Sequence, residues 1–241
     1  MDWRDEGAVL SMRPHGESAA IIEVFTRGHG RHAGVVRGGA SRRMAPHLQP
    51  GTQVAVAWSA RLAEHIGTFT VEPVRSRAHL LADRLALAGL TSVCALLSAT
   101  LPERDPHERL WRATGALLDR LGARGWPAEY LRWEMLLLEE LGFGLDLGAC
   151  AVTGAREGLA YVSPKTGRAV SRDGAGDWAG KLFPLPGGMT GGPMTPAGLG
   201  QGLAITGHFL ARDLAGDHHG RPLPEARGRL LDLLARADEA P

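Results

Sequence analysis

The sequence predicts an α+β chain of more than one domain: a small five-stranded barrel, then a helical bundle broken by an irregular insert. Three observations carry this. Short runs rich in Val, Ile and Phe, one strictly alternating, fill the first 78 residues; the period lengthens to that of a helix from Ala78; Gly and Pro crowd residues 149–194. At 241 residues, 44% hydrophobic and 22% charged, the chain can bury one large core or two small ones and is ordinary for a globular protein.

Five strands are expected in the first part: GAVLSMR (7–13), AAIIEVFT (19–26), GRHAGVVRG (30–38), QVAVAWSA (53–60) and GTFTVEPV (67–74). Val54, Val56 and Trp58 alternate with Ala55, Ala57 and Ser59, which gives a strand with one buried face. Gly28 and Gly30 mark the turn between the second and third strands. The Arg-rich stretch from Gly38 to Pro50 reads as a loop. Five short strands in one compact segment suit closure into a barrel, which removes exposed edges.

From Ala78, Leu80, Leu81, Leu85, Leu87, Val93, Leu96 and Leu97 lie in a helical stretch. The next helix is expected to be capped by Asp105, with Pro106 at its first position and Glu108 closing a capping box; Gly122 and Gly125 stop it. A third follows Pro127 and ends at Gly142. In the insert, Tyr161 and Val162 suggest at most a short hairpin. Thr195 caps a helix opened by Pro196, and residues 223–237 form a last amphipathic helix. The expected domains are 1–78 (barrel), 79–148 with 195–241 (helices), and 149–194 (insert).

Several function classes drop out. GGMTGG (187–192) lacks the Gly-Lys-Ser/Thr of a phosphate loop, and GLGQG (198–202) follows no strand. There is no GxSxG elbow and no HExxH, and carboxylates are scattered singly, so no catalytic residue is expected. His218-His219 lies in a polar loop, and neighbouring side chains there point apart. Cys94 and Cys150 make neither a disulfide framework nor a paired CxxC, which fits a reducing cytoplasm. The N-terminus has no apolar signal segment, and the uncharged stretch Leu85–Leu101 falls short of the ~20 residues that span a membrane.

The charge distribution points to a partner. Lys+Arg total 27 against Asp+Glu 26, yet no acidic residue lies between Glu23 and Glu64. Arg27, Arg31, Arg37, Arg42, Arg43 and Arg61 fill that gap, with His29, His32 and His47. A cationic surface without internal counter-charge attracts a polyanion and releases its counterions, which favours nucleic acid. A solvated basic face is the alternative. Phe25 and Trp58, on strand patterns among apolar neighbours, read as core more readily than as base-stacking platforms.

The stretch VLSMRPHGESAAIIEVFTRGHGRHAGVVRGGASRRMAPHLQPG resembles the RecO family of bacterial recombination mediators, through its RP..E turn, its VFT...GR hairpin, the V.RG...S.R loop and LQP. YLRWEMLLLEELGFGLDLGACAVTG and HFLARDLAGDHHGRPLPEARGRLLDLL resemble later parts of the same family in the same order. The resemblance implies an N-terminal OB-fold barrel, a C-terminal helical domain and a small zinc-finger-like insert. It implies binding of single- and double-stranded DNA, strand annealing, and loading of RecA onto gaps coated with single-strand-binding protein (SSB). RecR and the acidic SSB tail are the implied partners, and RecF is left open. Zinc-binding members carry CxxC twice; here the first pair reads Cys150-Ala-Val-Thr153 and no second pair is visible, so no zinc and no cofactor are expected.

The expected DNA contacts are Arg27, Arg31, Arg37, Arg42 and Arg43, with Gly38 and Gly39 allowing close backbone approach, and Lys165, Arg168 and Arg172 in the insert. Arg132, beside Trp133 and Leu137, is the expected cation for the SSB tail. The expected setting is the cytoplasm, associated with the nucleoid. The rival reading is a basic adaptor that binds an acidic protein and no DNA.

Overall fold

The computed structural model describes residues 1–62, 64–217 and 222–238. It divides into two compact units, Met1–Arg124 with Pro224–Leu230, and Gly125–Leu223 with Leu231–Pro241. Two further helices therefore group with the barrel, beyond the change of period at Ala78.

The first unit opens with β1 (Asp2–His15), β2 (Ala19–Thr26), β3 (Gly30–Val36), β4 (Gln53–Ser59) and β5 (Thr68–Arg75). β1 begins earlier than its apolar run because it serves two partners. Its first half pairs with β4, from Asp2↔Ser59 to Ala8↔Gln53, and its second half with β2, ending at His15↔Ala19. A register shift between Val9 and Ser11 bends the strand between these tasks. β5 pairs with β4, and its first residue meets Val35 of β3 in parallel, so the order β1-β2-β3-β5-β4 closes on itself. This is the five-stranded OB topology.

Val9, Ile22, Val24, Val54, Val56, Trp58 and Phe69 fill the barrel. The Arg-rich connection is ordered rather than loose. It ends in a 3-10 turn, Ala45–Leu48, whose Leu48 is fully buried in the barrel core. The opposite face of β2 is buried as well. Ile21 and Phe25 are buried, and Glu23 accepts a hydrogen bond from Ser98 Oγ at 3.0 Å, on the helix α1 (Arg84–Thr100). Trp58 and Phe25 are both core residues, so neither offers a ring to a base.

α1 is capped by Asp83, whose carboxylate accepts from the Leu85 and Ala86 N–H groups. α2 (Glu108–Arg120) starts later than Asp105 implied. Its N-cap is His107, with no side-chain cap bond. The physical reason is that residues 103–105 are pinned to the β2–β3 hairpin. Arg104 N–H donates to the Arg31 carbonyl at 2.8 Å, Glu103 bridges Arg31, and a side chain at Gly30 would overlap the Asp105 backbone.

In the second unit, α3 (Trp126–Glu140) begins with Pro127 in its first turn and ends before Gly142, whose φ is +86°. A three-stranded sheet follows, ordered β7-β6-β8, from β6 (Leu159–Val162), β7 (Ala169–Ser171) and β8 (Phe183–Pro184). The insert is thus more regular than the expected hairpin: strands of four, three and two residues are too short to leave a periodic trace. The helical turn α4 (Arg172–Ala175) and a 3-10 segment, Gly176–Lys181, lie between β7 and β8. α5 (Pro196–Asp217) is capped by Thr195, whose Oγ1 accepts from Gly198 N–H at 3.1 Å. α3 and α5 pack closely at Gly202, where a Cβ would lie 2.5 Å from Leu131, and the buried Glu134 accepts from Thr206 Oγ1. α6 (Glu225–Asp238) is the last element among the described residues. His218 and His219 lie outside the described residues. No helix is long and apolar enough to cross a membrane among the described residues.

Candidate nucleic-acid interface

The five barrel arginines do not form one patch. β2 and β3 pair from Ala20↔Val36 at one end to Thr26↔Gly30 at the other. Arg27 and Arg31 belong to the second end; Arg37, Arg42 and Arg43 follow β3 at the first.

Arg31 is held inside the fold. Its side chain is 15% exposed; Nε donates to the Leu101 carbonyl at 2.9 Å, and Nη1 lies 2.6 Å from Glu23 and 3.7 Å from Glu103. Arg27 pairs with Glu108 of α2 at 2.5 Å, and Glu108 also takes Arg112 at 2.6 Å. The Arg27 hydrogen bond, with the Arg112 charge beside it, holds the Glu108 carboxyl below its ordinary value. That pair is half exposed and weakly stabilising. The acidic gap in the sequence is therefore answered in space by Glu23 at its edge and by Glu103 and Glu108, the last two some 70 to 80 positions along the chain from their partners.

Arg37, Arg42 and Arg43 differ. All three are exposed, and none makes an ion pair with another described residue. Their loop is rigidly tied. Gly39 N–H donates to Val36, Ser41 N–H to Gly38, and both Met44 N–H and Ala45 N–H to Ser41. Ala40 N–H donates to the Ser18 carbonyl at 3.0 Å, which binds the loop to the β1–β2 turn. Gly38 has φ +67° and open space around it, so only glycine turns easily here. Gly39 serves a different purpose from the one expected. It is buried, and a Cβ there would lie 2.8 Å from Ala20, so its smallness lets the loop pack on β2 rather than on a ligand.

The same end carries Arg13 and His15, both exposed, at the close of β1. The charge-gap reading passed over them because Glu17 and Glu23 follow. The useful signal was the Arg-Pro-His run before the turn.

At the other end an aromatic cluster packs. Trp3 stacks on His29 at 4.0 Å and on Trp58 at 5.7 Å, and His32 meets Trp3, Trp58 and Phe69 edge-on. His32 is 4% exposed, and neither ring nitrogen has a partner. Burial, then the Arg104 and His29 charges, push its pKa down to about 4. His29 Nδ1 lies 3.0 Å from Asp5.

In the insert, Lys165 is exposed at the tip of the β6–β7 hairpin, where its carbonyl accepts from Arg212. Arg168 is paired to Asp146 at 3.1 Å, and Arg172 is exposed on α4. Arg132 is exposed on α3 between the buried Leu131 and Trp133, without an ion pair to another described residue.

The donor set for zinc is informative. Cys150 Sγ accepts from Ser171 N–H at 3.1 Å, Ser171 Oγ–H at 3.3 Å and Thr153 N–H at 3.4 Å. Those donors, Ser171 foremost, hold its pKa down to about 6. A Cβ built on Gly174 would lie 2.9 Å from this sulfur and 3.0 Å from Ser171 Oγ. Two pairs of positions three apart, 150/153 and 171/174, thus converge. The second pair, not visible in the sequence, is Ser171 and Gly174. The layout suits four ligands, but the residues present supply one thiolate, and among the described residues no group of three His, Cys, Asp or Glu could hold a metal ion. The residues do not fit zinc; hydrogen bonds to the single sulfur occupy its place.

The comparisons with known proteins agree with this architecture. The family model described as "Recombination protein O N terminal" matches residues 1–77, and "Recombination protein O C terminal" matches 81–238. The two meet where the periodicity changes. A "DNA repair protein RecO" of Cereibacter sphaeroides (strain ATCC 17029 / ATH 2.4.9) is 68% identical over 98% of this chain and 100% of its own. Proteins of the same name from Ruegeria sp. (strain TM1040) and Dinoroseobacter shibae (strain DSM 16493 / NCIMB 14021 / DFL 12) are 59% and 55% identical, over 98% of this chain and 99% of theirs.

Proposed function

Since the chain belongs to the RecO family of DNA repair proteins, we propose that it is a non-enzymatic mediator that grips DNA through the barrel rim formed by Arg37, Gly38, Arg42 and Arg43. The observation that carries this reading is the freedom of those three guanidinium groups on a hydrogen-bonded loop. Unpaired arginines on a preordered surface bind phosphate without first breaking internal pairs. Phosphate contacts carry no sequence information, which suits a protein acting at any gap. Arg27 and Arg31, engaged by carboxylates and carbonyls within the unit, contribute little to the grip. Lys165 is a secondary contact, and Arg168, engaged by Asp146, is a weaker one.

Annealing follows from the same charge. Two complementary strands repel until a cationic surface screens both. With RecR, the protein then helps load RecA onto SSB-coated single strands. The SSB tail, acidic with an apolar end, docks beside Arg132. The test is annealing of complementary oligonucleotides coated with the cognate SSB, with and without this protein. Acceleration supports the proposal. Binding to the SSB tail without acceleration, and without affinity for bare oligonucleotides, favours the adaptor instead.

A further inference from the structure

The insert carries one feature that neither its fold nor the arginine rim explains. In the 3-10 segment Gly176–Lys181, side chains three apart eclipse one another. Ala179, with Ala175 before the segment and Leu182 after it, packs on the small core around Cys150 and Val170. Trp178 and Lys181 take the outward row. Trp178 is 65% exposed, and Lys181 Nζ lies 4.6 Å from its ring centroid. The ammonium covers one face of the indole and leaves the rest of the ring to solvent. A tryptophan normally withdraws its large apolar area from water.

The local charge selects the ligand. Residues 172–181 hold Arg172 and Lys181 against Asp173 and Asp177, so the segment has no net attraction for polyphosphate. What it offers is the uncovered part of a flat π-system, with a single cation over its other face. An aliphatic peptide side chain does not need that geometry, whereas a nucleobase followed by its phosphate fits it: the base stacks on the open face, and Lys181 reaches the phosphate. In a duplex both faces of each base are already stacked. We propose that Trp178 and Lys181 form a platform for one unpaired base, which gives this protein a preference for single strands that the arginine rim alone does not supply. This rests on the DNA-binding reading above.

The test compares wild type, Trp178→Ala, Trp178→Phe and Arg42→Glu/Arg43→Glu on oligo(dT) and on a duplex of equal length, across a salt series. Loss of one stacked base weakens oligo(dT) binding by about 5- to 150-fold. Trp178→Ala is expected to show that loss with duplex affinity within about twofold and an unchanged salt slope, while Trp178→Phe keeps most of the affinity. The double arginine variant should weaken both ligands and flatten the slope, which separates the platform from the rim. Equal loss on both ligands, or none on oligo(dT), overturns the platform and leaves the rim standing. A wild type that binds neither ligand overturns both. Should Trp178→Ala fail to fold, acylation of the wild type decides. Lys165 and Lys181 are the chain's two lysines, and oligo(dT) must protect Lys181; an unprotected Lys181 refutes the proposal.

Discussion

Replacing Arg31 by Ala separates an internal strut from a DNA contact. In the folded chain its guanidinium joins Glu23 at 2.6 Å and the Leu101 carbonyl at 2.9 Å, with 15% of the side chain exposed. Hydrogen bonds to charged groups contribute about 1.5–3 kcal/mol each. Breaking a fully buried pair costs about 3–5 kcal/mol, much of it from stranding the surviving charge. Here Glu23 keeps two hydroxyl donors, Ser11 and Ser98, each at 3.0 Å, so the stranding is partial. The expected loss is about 2–3 kcal/mol, or a Tm lower by about 4–12 °C for a chain of this size. Thermal melts of the two proteins measure it. A parallel titration with oligo(dT) below the melting range is expected to give wild-type affinity and salt slope. Unchanged stability together with a weakened, flatter salt dependence would refute the reasoning and return Arg31 to the DNA face.

Two further outcomes follow from buried groups. His32 is held neutral in the barrel with a pKa near 4, against 6.5 when exposed. The unfolded chain therefore binds the extra proton first, and stability must decline as pH falls from about 6.5 to about 4. His32→Phe should lose that component of the slope in melts taken across the window; an identical slope would show that His32 does not contribute it. The converging positions around Cys150 make a second prediction. The triple substitution Thr153→Cys, Ser171→Cys, Gly174→Cys should bind Co(II) with thiolate charge-transfer absorption at one equivalent, whereas the wild type should not. Absence of that band in a folded triple variant would mean the positions do not converge as described.

Much of the fold was legible in the residues. The alternation of Val54, Val56 and Trp58 marked β4, and Gly142 marked the end of α3, because both rest on local backbone geometry. The start of α2 was not legible, since residues 103–105 are held by contacts to Gly30 and Arg31 that only the folded chain creates. Charge was the least reliable guide to the site. A run without acidic residues looked unbalanced along the sequence, but Glu23 at its edge and Glu103 from far away engage Arg31, and the distant Glu108 engages Arg27. Arg37, Arg42 and Arg43 escaped because they follow the other end of the β2–β3 pair, where no carboxylate of another described residue pairs with them. The partner positions of Cys150 were hidden for a similar reason. Ser171 and Gly174 have no chemistry that announces a ligand site, and their role is visible only as distances to one sulfur atom.

The salt dependence of single-strand binding tests the rim most directly. Each phosphate contact contributes about 0.7 to the slope of log K against log salt for single strands. Arg42→Glu with Arg43→Glu should lower that slope by about 1.4 and weaken binding at least about tenfold near 0.15 M salt. A double variant with wild-type slope and affinity would contradict the account.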